Sequence, residues 1–115
     1  MLEQKFFEVW VVGDPKEEKL IEKLREKLSE AHQKRHLRIR FRFYYENTQS
    51  PPYLEALRPI LLDNTRLSVV VEEKSLEALA SDLEDLEDEV SLLVSRRLVS
   101  SIKLPRSSRL KIVEV

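Results

Sequence analysis

The clearest structural signal in the chain lies at residues 37–45, which read Leu-Arg-Ile-Arg-Phe-Arg-Phe-Tyr-Tyr. Successive side chains of a β-strand point to opposite faces of the sheet, so the apolar residues share one face and the arginines share the other with Tyr44. Unbroken alternation over this length predicts a strand with one buried face. What covers the apolar face and what meets the arginines then decides the architecture.

Length and composition indicate a single globular domain spanning residues 1–115, with a surface rich in the charged residues that make up 36% of the chain. The absence of cysteine excludes a disulfide framework, a thiolate nucleophile and a zinc site built on thiolates. The first residues lack the pattern of a signal peptide, and no apolar run is long enough to span a membrane. We therefore expect a cytoplasmic protein that makes no membrane contact. Low glycine with abundant Glu, Lys and Arg is typical of thermophiles.

Glycine occurs once, at Gly13, and this excludes two nucleotide-binding devices. Both the Gly-x-Gly-x-x-Gly turn and the Walker phosphate loop need several backbone positions without a Cβ atom. A Gly-x-Ser-x-Gly nucleophile elbow is excluded for the same reason. We expect a protein that is not an enzyme and that needs no cofactor.

Three further strands and two helices are predicted around the arginine strand. The first helix begins with Asp14 as N-cap and Pro15 in the first turn, where its missing N–H is harmless. The second helix begins at Ser50 and is broken by Pro59. The predicted bounds are residues 6–12, 67–71 and 110–115 for the strands, and 14–35 and 50–58 for the helices.

A third helix is predicted over residues 76–101, because leucine and valine recur there at alternating spacings of three and four residues. One helix of this length would measure about 39 Å, whereas a compact domain of this size has a radius of gyration near 13 Å. Either the helix breaks around residues 88–91, or part of it projects and packs against another chain. In the second case the interface would contain Leu79, Leu83, Leu86, Val90 and Leu93.

The alternation of strands and helices predicts an α/β fold whose strands pair in parallel through right-handed crossovers. We expect a four-stranded, mostly parallel sheet in the order 2-1-3-4, with helices on both faces. The two strands that are apolar on both faces would lie in the middle, and the arginine strand at an edge. The alternative is a ferredoxin-like α+β sandwich, in which the arginine face would be open.

Charge is segregated along the chain, although the net charge is only −1. Residues 72–89 hold nine acids and one base, and residues 90–113 hold six bases and no acid. Guanidinium groups bind carboxylate or phosphate through two parallel hydrogen bonds, which favours an anion or an acidic partner as the ligand. The predicted binding residues are Arg38, Arg40, Arg42, Tyr44, Arg106 and Arg109. The alternative is a solvated edge strand whose arginines pair with acids of a neighbouring helix, and in either case we expect the fold to survive replacement of the strand arginines by Glu.

Three carboxylates define a possible Mg²⁺ site at the carboxyl ends of the predicted strands, namely Asp14, Glu72 and Glu73. Mg²⁺ prefers oxygen ligands and shares them with phosphates, so this site would support phosphate chemistry. The ordinary interpretation is that Asp14 caps a helix and that the glutamates end a strand. On that interpretation the protein holds no metal.

These observations lead to three functional hypotheses. The first is an interaction or regulatory domain without enzymatic activity, which forms a homo-oligomer or docks in a larger assembly. The second is binding of nucleic acid or a nucleotide phosphate by the arginine strand and the basic C-terminal loop. The third is Mg²⁺-dependent phosphate chemistry.

Overall fold

A parallel sheet forms the centre of the protein in the computed structural model, which describes residues 6–13, 17–34, 38–45, 58–59, 68–86 and 88–115. Within these residues the sheet has five strands in the order β3-β2-β1-β4-β5, and every neighbouring pair is parallel. The strands are β1 (Phe7–Val12), β2 (Arg38–Tyr45), β3 (Ser68–Ser75), β4 (Val90–Val94) and β5 (Leu110–Glu114).

Two helices cover opposite faces of the sheet. Helix α1 (Glu18–Gln33) buries the stripe formed by Leu20, Leu24 and Leu28 in a first core with the apolar residues of β1 and β2. Helix α2 (Leu79–Glu84) buries Leu79 and Leu83 in a second core on the other face. Because α1 and α2 lie on opposite faces, β1 needs apolar side chains on both sides, as its sequence predicts.

The predicted α/β class, the parallel sheet and the helices on both faces are confirmed. The predicted sheet of four strands in the order 2-1-3-4 is wrong, and the ferredoxin-like alternative is also wrong because the described strands all pair in parallel. The arginine strand β2 lies inside the sheet between β1 and β3, and β3 forms the edge instead. An interior position is possible because acids of neighbouring elements meet the arginines.

The third helix, predicted over residues 76–101, is confirmed only near its start, and of the two alternatives the discontinuous one is correct. Residues 76–84 form one 3-10 turn (Leu76–Ala78) followed by α2, and β4 begins at Val90. Val90, Leu92 and Val94 lie in the second core, whereas Leu93 lies in the first. An apolar run buried on both faces of a sheet carries no alternation, so periodicity alone cannot separate it from a buried helix.

The start of α1 differs from the prediction. The helix begins at Glu18 with Glu17 as its N-cap residue, and no side chain caps it. The predicted cap at Asp14 lies outside the described residues, as does most of the predicted helix that begins at Ser50. The last residue of that predicted helix, Arg58, is helical, and so is Pro59, where the sequence predicts a break. None of the described helices is both long and apolar enough to cross a membrane.

Candidate binding site

The alternating residues of β2 place the arginines beside acids and aromatic residues of the adjacent strands. In the strand register Arg40 lies next to Glu8 of β1, and Arg42 lies between Trp10 of β1 and Glu72 of β3. All of these side chains point to the face of the sheet that α2 covers, because residues in register share a face. We call Arg38, Arg40, Arg42 and Tyr44 the arginine face.

Ion pairs hold the two central arginines of this face. A terminal nitrogen of Arg40 donates to Glu8 Oε1 at 2.7 Å, and Arg42 Nε donates to Glu72 Oε2 at 2.9 Å. Glu72 Oε1 also lies 3.8 Å from Arg40 Nε, so one carboxylate bridges both arginines. The Arg42 side chain retains only 15% of its exposure. These contacts neutralise the centre of the arginine face within the molecule.

Asp82 of α2 closes the other end of the face. Asp82 Oδ2 accepts hydrogen bonds from the Tyr44 hydroxyl at 2.7 Å and from the Lys74 ammonium at 3.0 Å. The same oxygen lies 3.7 Å from a terminal nitrogen of Arg42. Burial opposes ionisation of Asp82, but the donors Tyr44 and Lys74 outweigh it and lower the pKa of the carboxyl. Burial, and then the hydrogen bond to Asp82, raises the pKa of Tyr44.

Aromatic rings complete the environment of the arginines. The Arg42 guanidinium lies 4.5 Å from the centre of the Trp10 ring, and that of Arg40 lies 4.5 Å from the Phe6 ring. Arg38 lies farther from Phe6, at 5.8 Å, and is exposed. Within the described chain, Trp10 Nε1 and Arg40 Nε are buried without a hydrogen-bond partner.

The four residues of the predicted arginine site therefore differ in their contacts: three are buried or paired with acids, and one is exposed. Tyr44 is fully buried, and Arg40 and Arg42 are held by acids, so these three side chains stabilise the fold and leave little capacity for a ligand. Arg38 alone among the four is exposed and without a carboxylate partner in the described part of the chain.

A second polar cluster lies where the carboxyl ends of β1 and β4 meet, which is the switch point at which doubly wound sheets bind ligands. Ser95 donates its hydroxyl to Glu17 Oε1 at 2.6 Å, and Arg97 Nε lies 3.5 Å from the same oxygen. A Cβ atom on Gly13 would lie 2.7 Å from Glu17 Oε2, and the backbone there has a φ of 158°, so the single glycine is required at this position. With Ser95 only 2% exposed, the cluster joins β4 to the start of α1 and offers no accessible nucleophile.

A shallow, open groove is formed by the last strand and the loop before it. This C-terminal groove has a volume of about 610 Å³ and contains one exposed arginine, Arg106. On β5 the side chain of Leu110 is buried, whereas that of Ile112 is 40% exposed. Among the described residues Ile112 is the large apolar residue that is exposed to solvent. The lining residues are Leu104, Pro105, Arg106, Ser107, Ser108, Leu110 and Ile112.

Exposed bases lie in this groove and elsewhere on the same C-terminal segment, without acids of the described residues to pair with them. Arg96, Lys103, Arg106 and Lys111 are exposed, and none of them forms an ion pair with the described residues. Arg109, the other predicted binding residue of this segment, donates to the backbone oxygen of Leu86 at 2.9 Å. The positive charge of the C-terminal segment is therefore not balanced by acids of the described residues, whereas carboxylates balance that of Arg40 and Arg42.

The residues predicted to form an oligomer interface lie inside the protein. Leu79, Leu83 and Val90 are buried in the second core, and Leu93 is buried in the first, on the other side of the sheet. Leu86 is partly buried against the second core. These side chains therefore do not form one apolar seam on the surface.

The carboxylates of the predicted Mg²⁺ site do not converge in the described structure. Glu72 and Glu73 lie within β3 and not at its end, they point to opposite faces, and Glu72 is bound to the arginines. Asp14 lies outside the described residues. No group of three acidic or histidine side chains that could hold a metal occurs in the part of the chain that the structure describes.

Two elements of these sites were missed at the sequence level. The first is the contact of Glu17 with Ser95, because nothing in the sequence links two residues that lie 78 positions apart. The exposure of Ile112 follows from the position of β5 at the edge, which requires the strand order. No family model, no curated protein and no solved structure matches this chain, so the fold class and the surfaces described above carry the functional argument.

Proposed function

We propose that this protein is an interaction domain without enzymatic activity, which docks an acidic segment of another protein at the C-terminal groove. The observation that carries the proposal is a partly apolar groove lined by Arg106, on a segment whose other exposed bases form no ion pair with the described residues. Charge of one sign around a concave site attracts and orients a partner of the opposite sign.

The lining of the groove favours a protein segment over nucleic acid. Its apolar residues are Leu104, Pro105, Leu110 and Ile112, which suit aliphatic side chains. Proteins that bind single-stranded nucleic acid use aromatic side chains as stacking platforms, and the groove lining contains none. The net charge of −1 also differs from the strongly basic balance typical of nucleic-acid-binding domains.

Charge also favours a different protein over a second copy of this chain at the same groove. In a symmetric pair each copy presents the same surface to the other, so the Arg106 side chains that line the two grooves would approach each other. Like charges brought together at an interface are costly unless acids separate them. An acidic partner removes this repulsion and pairs with the bases instead.

The proposal can be tested by fluorescence anisotropy with a labelled peptide of alternating Glu and Val residues. We expect salt-sensitive binding to the wild type, and affinity lower by about tenfold or more in the double variant Arg106→Glu/Lys111→Glu, because like charges would then meet. The matched control is Lys19→Glu/Arg25→Glu, which changes the net charge equally at two exposed positions of α1. The control should bind as the wild type does.

Three results would overturn the proposal. Equal loss of binding in both double variants would show that only the net charge matters. Tighter binding of a labelled oligothymidine than of the peptide would favour nucleic acid as the partner. A dimer mass in light scattering that Arg106→Glu/Lys111→Glu abolishes would show that a second copy occupies the groove.

A further inference from the structure

Strand β5 forms an edge of the sheet, with β4 on one side and no strand on the other in the described structure. An edge strand leaves a row of backbone N–H and C=O groups without partners from the sheet. Such an edge is able to accept an extended peptide as an additional strand.

The hydrogen bonds of β5 show which of its residues carry the open groups. The Val115 N–H donates to Val94 O at 2.9 Å, and the Arg109 oxygen accepts from the Val90 N–H at 2.8 Å. Backbone groups of successive strand residues point to alternate sides, so odd-numbered residues of β5 face β4. Ile112 and Glu114 therefore turn their N–H and C=O groups to the open edge.

We infer that the acidic partner segment binds β5 as a sixth strand, through the backbone of Ile112 and Glu114 and the side chains on both faces of the edge. This inference rests on the proposed function and adds the mode of binding to it. Main-chain hydrogen bonds would hold the segment in register, and the side chains of β5 would select its sequence.

The two faces of β5 predict the sequence of the segment. Ile112 lies on the face that contains the groove, and Lys111 lies on the opposite face and is exposed. A partner strand beside them would place apolar residues next to Ile112 and acidic residues next to Lys111, because side chains directly across a pair of strands contact each other. The expected ligand is an extended segment in which apolar and acidic residues alternate.

The opposite edge of the sheet does not suit the same ligand. It is formed by β3, on which Glu73 is exposed and the one base, Lys74, is paired with Asp82. An acidic segment paired with β3 would place like charges across the strands, which is destabilising. On β5 the acidic residues of such a segment would lie on the face of Lys111 and not on that of Glu114, so charge favours β5 over β3.

The experiment uses two further versions of the Glu-Val peptide, one with a methyl group on the backbone nitrogen of every Val and one with it on every Glu. In an added strand the N–H groups of one residue type face β5 and those of the other face solvent. We expect one methylated peptide to lose binding and the other to keep the affinity of the parent peptide. Equal affinity of the two methylated peptides would overturn the strand model.

A pair of protein variants tests the same point from the other side. Ile112→Pro removes an N–H that faces the partner and not β4, whereas Ile112→Thr keeps this N–H and removes part of the apolar side chain. We expect affinity for the parent peptide to fall about fivefold further in the proline variant than in the threonine variant, which corresponds to one hydrogen bond of average net strength. Equal affinities of the two variants would contradict the model, with the thermal unfolding of each free variant as the check on its fold.

Amide hydrogen exchange resolves the case in which the proline variant does not fold. In the wild type the amides of Ile112 and Glu114 should slow on binding by the ratio of the free peptide concentration to its dissociation constant. Those of Lys111 and Val113, which β4 already protects, should change less. If Arg106→Glu/Lys111→Glu abolishes binding but the amides of Ile112 and Glu114 do not slow, the groove binds the partner without strand addition. No binding of the parent peptide to the wild type would overturn the proposed function itself.

Discussion

The arginine face contains three arginines, and four exposed bases lie in the C-terminal groove or on the segment that forms it, but the two sets differ in whether carboxylates pair with them. On the arginine face, Arg40 and Arg42 each have a carboxylate within 3 Å. Around the groove, Arg106 and Lys111 are exposed without an ion pair in the described residues. The difference shows that acids within reach, and not the number of bases, decide whether a basic stretch is a candidate site.

The positions of the two regions in the sheet explain this difference. Strand β2 has neighbours on both sides and α2 above it, so three elements supply acids to its arginines. Among the described strands β5 has a neighbour on one side only, and the loop before it contains further bases. Acids on both neighbouring strands can neutralise the charged side chains of an interior strand. An edge strand has acids of only one neighbouring strand within reach, so its charged side chains stay available for other contacts.

The strongest test of the comparison is charge reversal in each region. Arg40→Glu/Arg42→Glu would place two new carboxylates beside Glu8, Glu72 and Asp82, so the expected loss is about 3 kcal/mol or more of the free energy of unfolding. This result would correct the sequence-based expectation that the fold survives such a change. Urea denaturation followed by circular dichroism measures the loss.

The matched change at the groove is Arg106→Glu/Lys111→Glu, which alters the net charge by the same amount at exposed positions. Its unfolding free energy should stay within about 0.5 kcal/mol of the wild type. Equal losses in the two double variants would break the comparison, because they would show that the bases of the groove also serve the fold.

Removal of the acid at the end of the arginine face should have the next largest effect. Asp82→Ala leaves the Tyr44 hydroxyl, the Lys74 ammonium and the Arg42 guanidinium without their shared carboxylate, so we expect a loss of about 2 kcal/mol. The control is Glu84→Ala, an exposed acid of the same helix whose removal should cost less than about 0.5 kcal/mol. If the two variants unfolded at the same urea concentration, the Asp82 contacts would contribute nothing measurable.

Much of the fold could be predicted because several elements carry strong local patterns. Alternation identified β2, and the spacing of Leu20, Leu24 and Leu28 identified the buried stripe of α1. The doubly apolar sequence of β1 correctly indicated a strand covered on both faces. These signals lie within one element each, so they need no knowledge of its neighbours.

Strand β4 could not be predicted with the same reasoning. Residues 90–94 read Val-Ser-Leu-Leu-Val, and their apolar positions continue the spacing of the leucines in α2. Without β4 the strand order is wrong, and the arginine strand is placed at an edge with solvated arginines. The ion pairs with Glu8 and Glu72 depend on the register of three strands, which the sequence of one strand does not contain.

The pH dependence of stability separates the buried phenol from the exposed bases. The raised pKa of Tyr44 means that the folded protein keeps the phenol proton to a higher pH than the unfolded chain. The resulting stabilisation is complete below about pH 10, the ordinary value for tyrosine, and is lost as the pH rises above it. Tyr44→Phe should lose about 1 kcal/mol at neutral pH, and its stability should fall less steeply than that of the wild type in alkaline solution.

Urea denaturation of both proteins across the alkaline range measures this difference. All other ionisable groups are the same in the two proteins, so the informative quantity is the difference between their two curves of unfolding free energy against pH. The gap should narrow as the pH rises above about 10. A gap that stays constant with pH would show that the Tyr44 hydroxyl does not form the hydrogen bond to Asp82 in solution.

The smallest expected effect concerns Arg38, which belongs to the arginine strand by sequence but resembles the bases of the groove in its environment. It is exposed and its described contact is the distant ring of Phe6, so Arg38→Gln should cost at most about 0.5 kcal/mol. Arg42→Gln, four residues later on the same face, removes a hydrogen bond to Glu72 and a close ring contact and should cost about 1–2 kcal/mol. Urea midpoints of the two variants give a direct measure of how far carboxylate contacts, and not membership of the strand, determine the contribution of an arginine. Equal losses of unfolding free energy in the two variants would show that the position in the strand matters more than the paired acids. The difference between the arginine face and the groove would then not be explained by ion pairs.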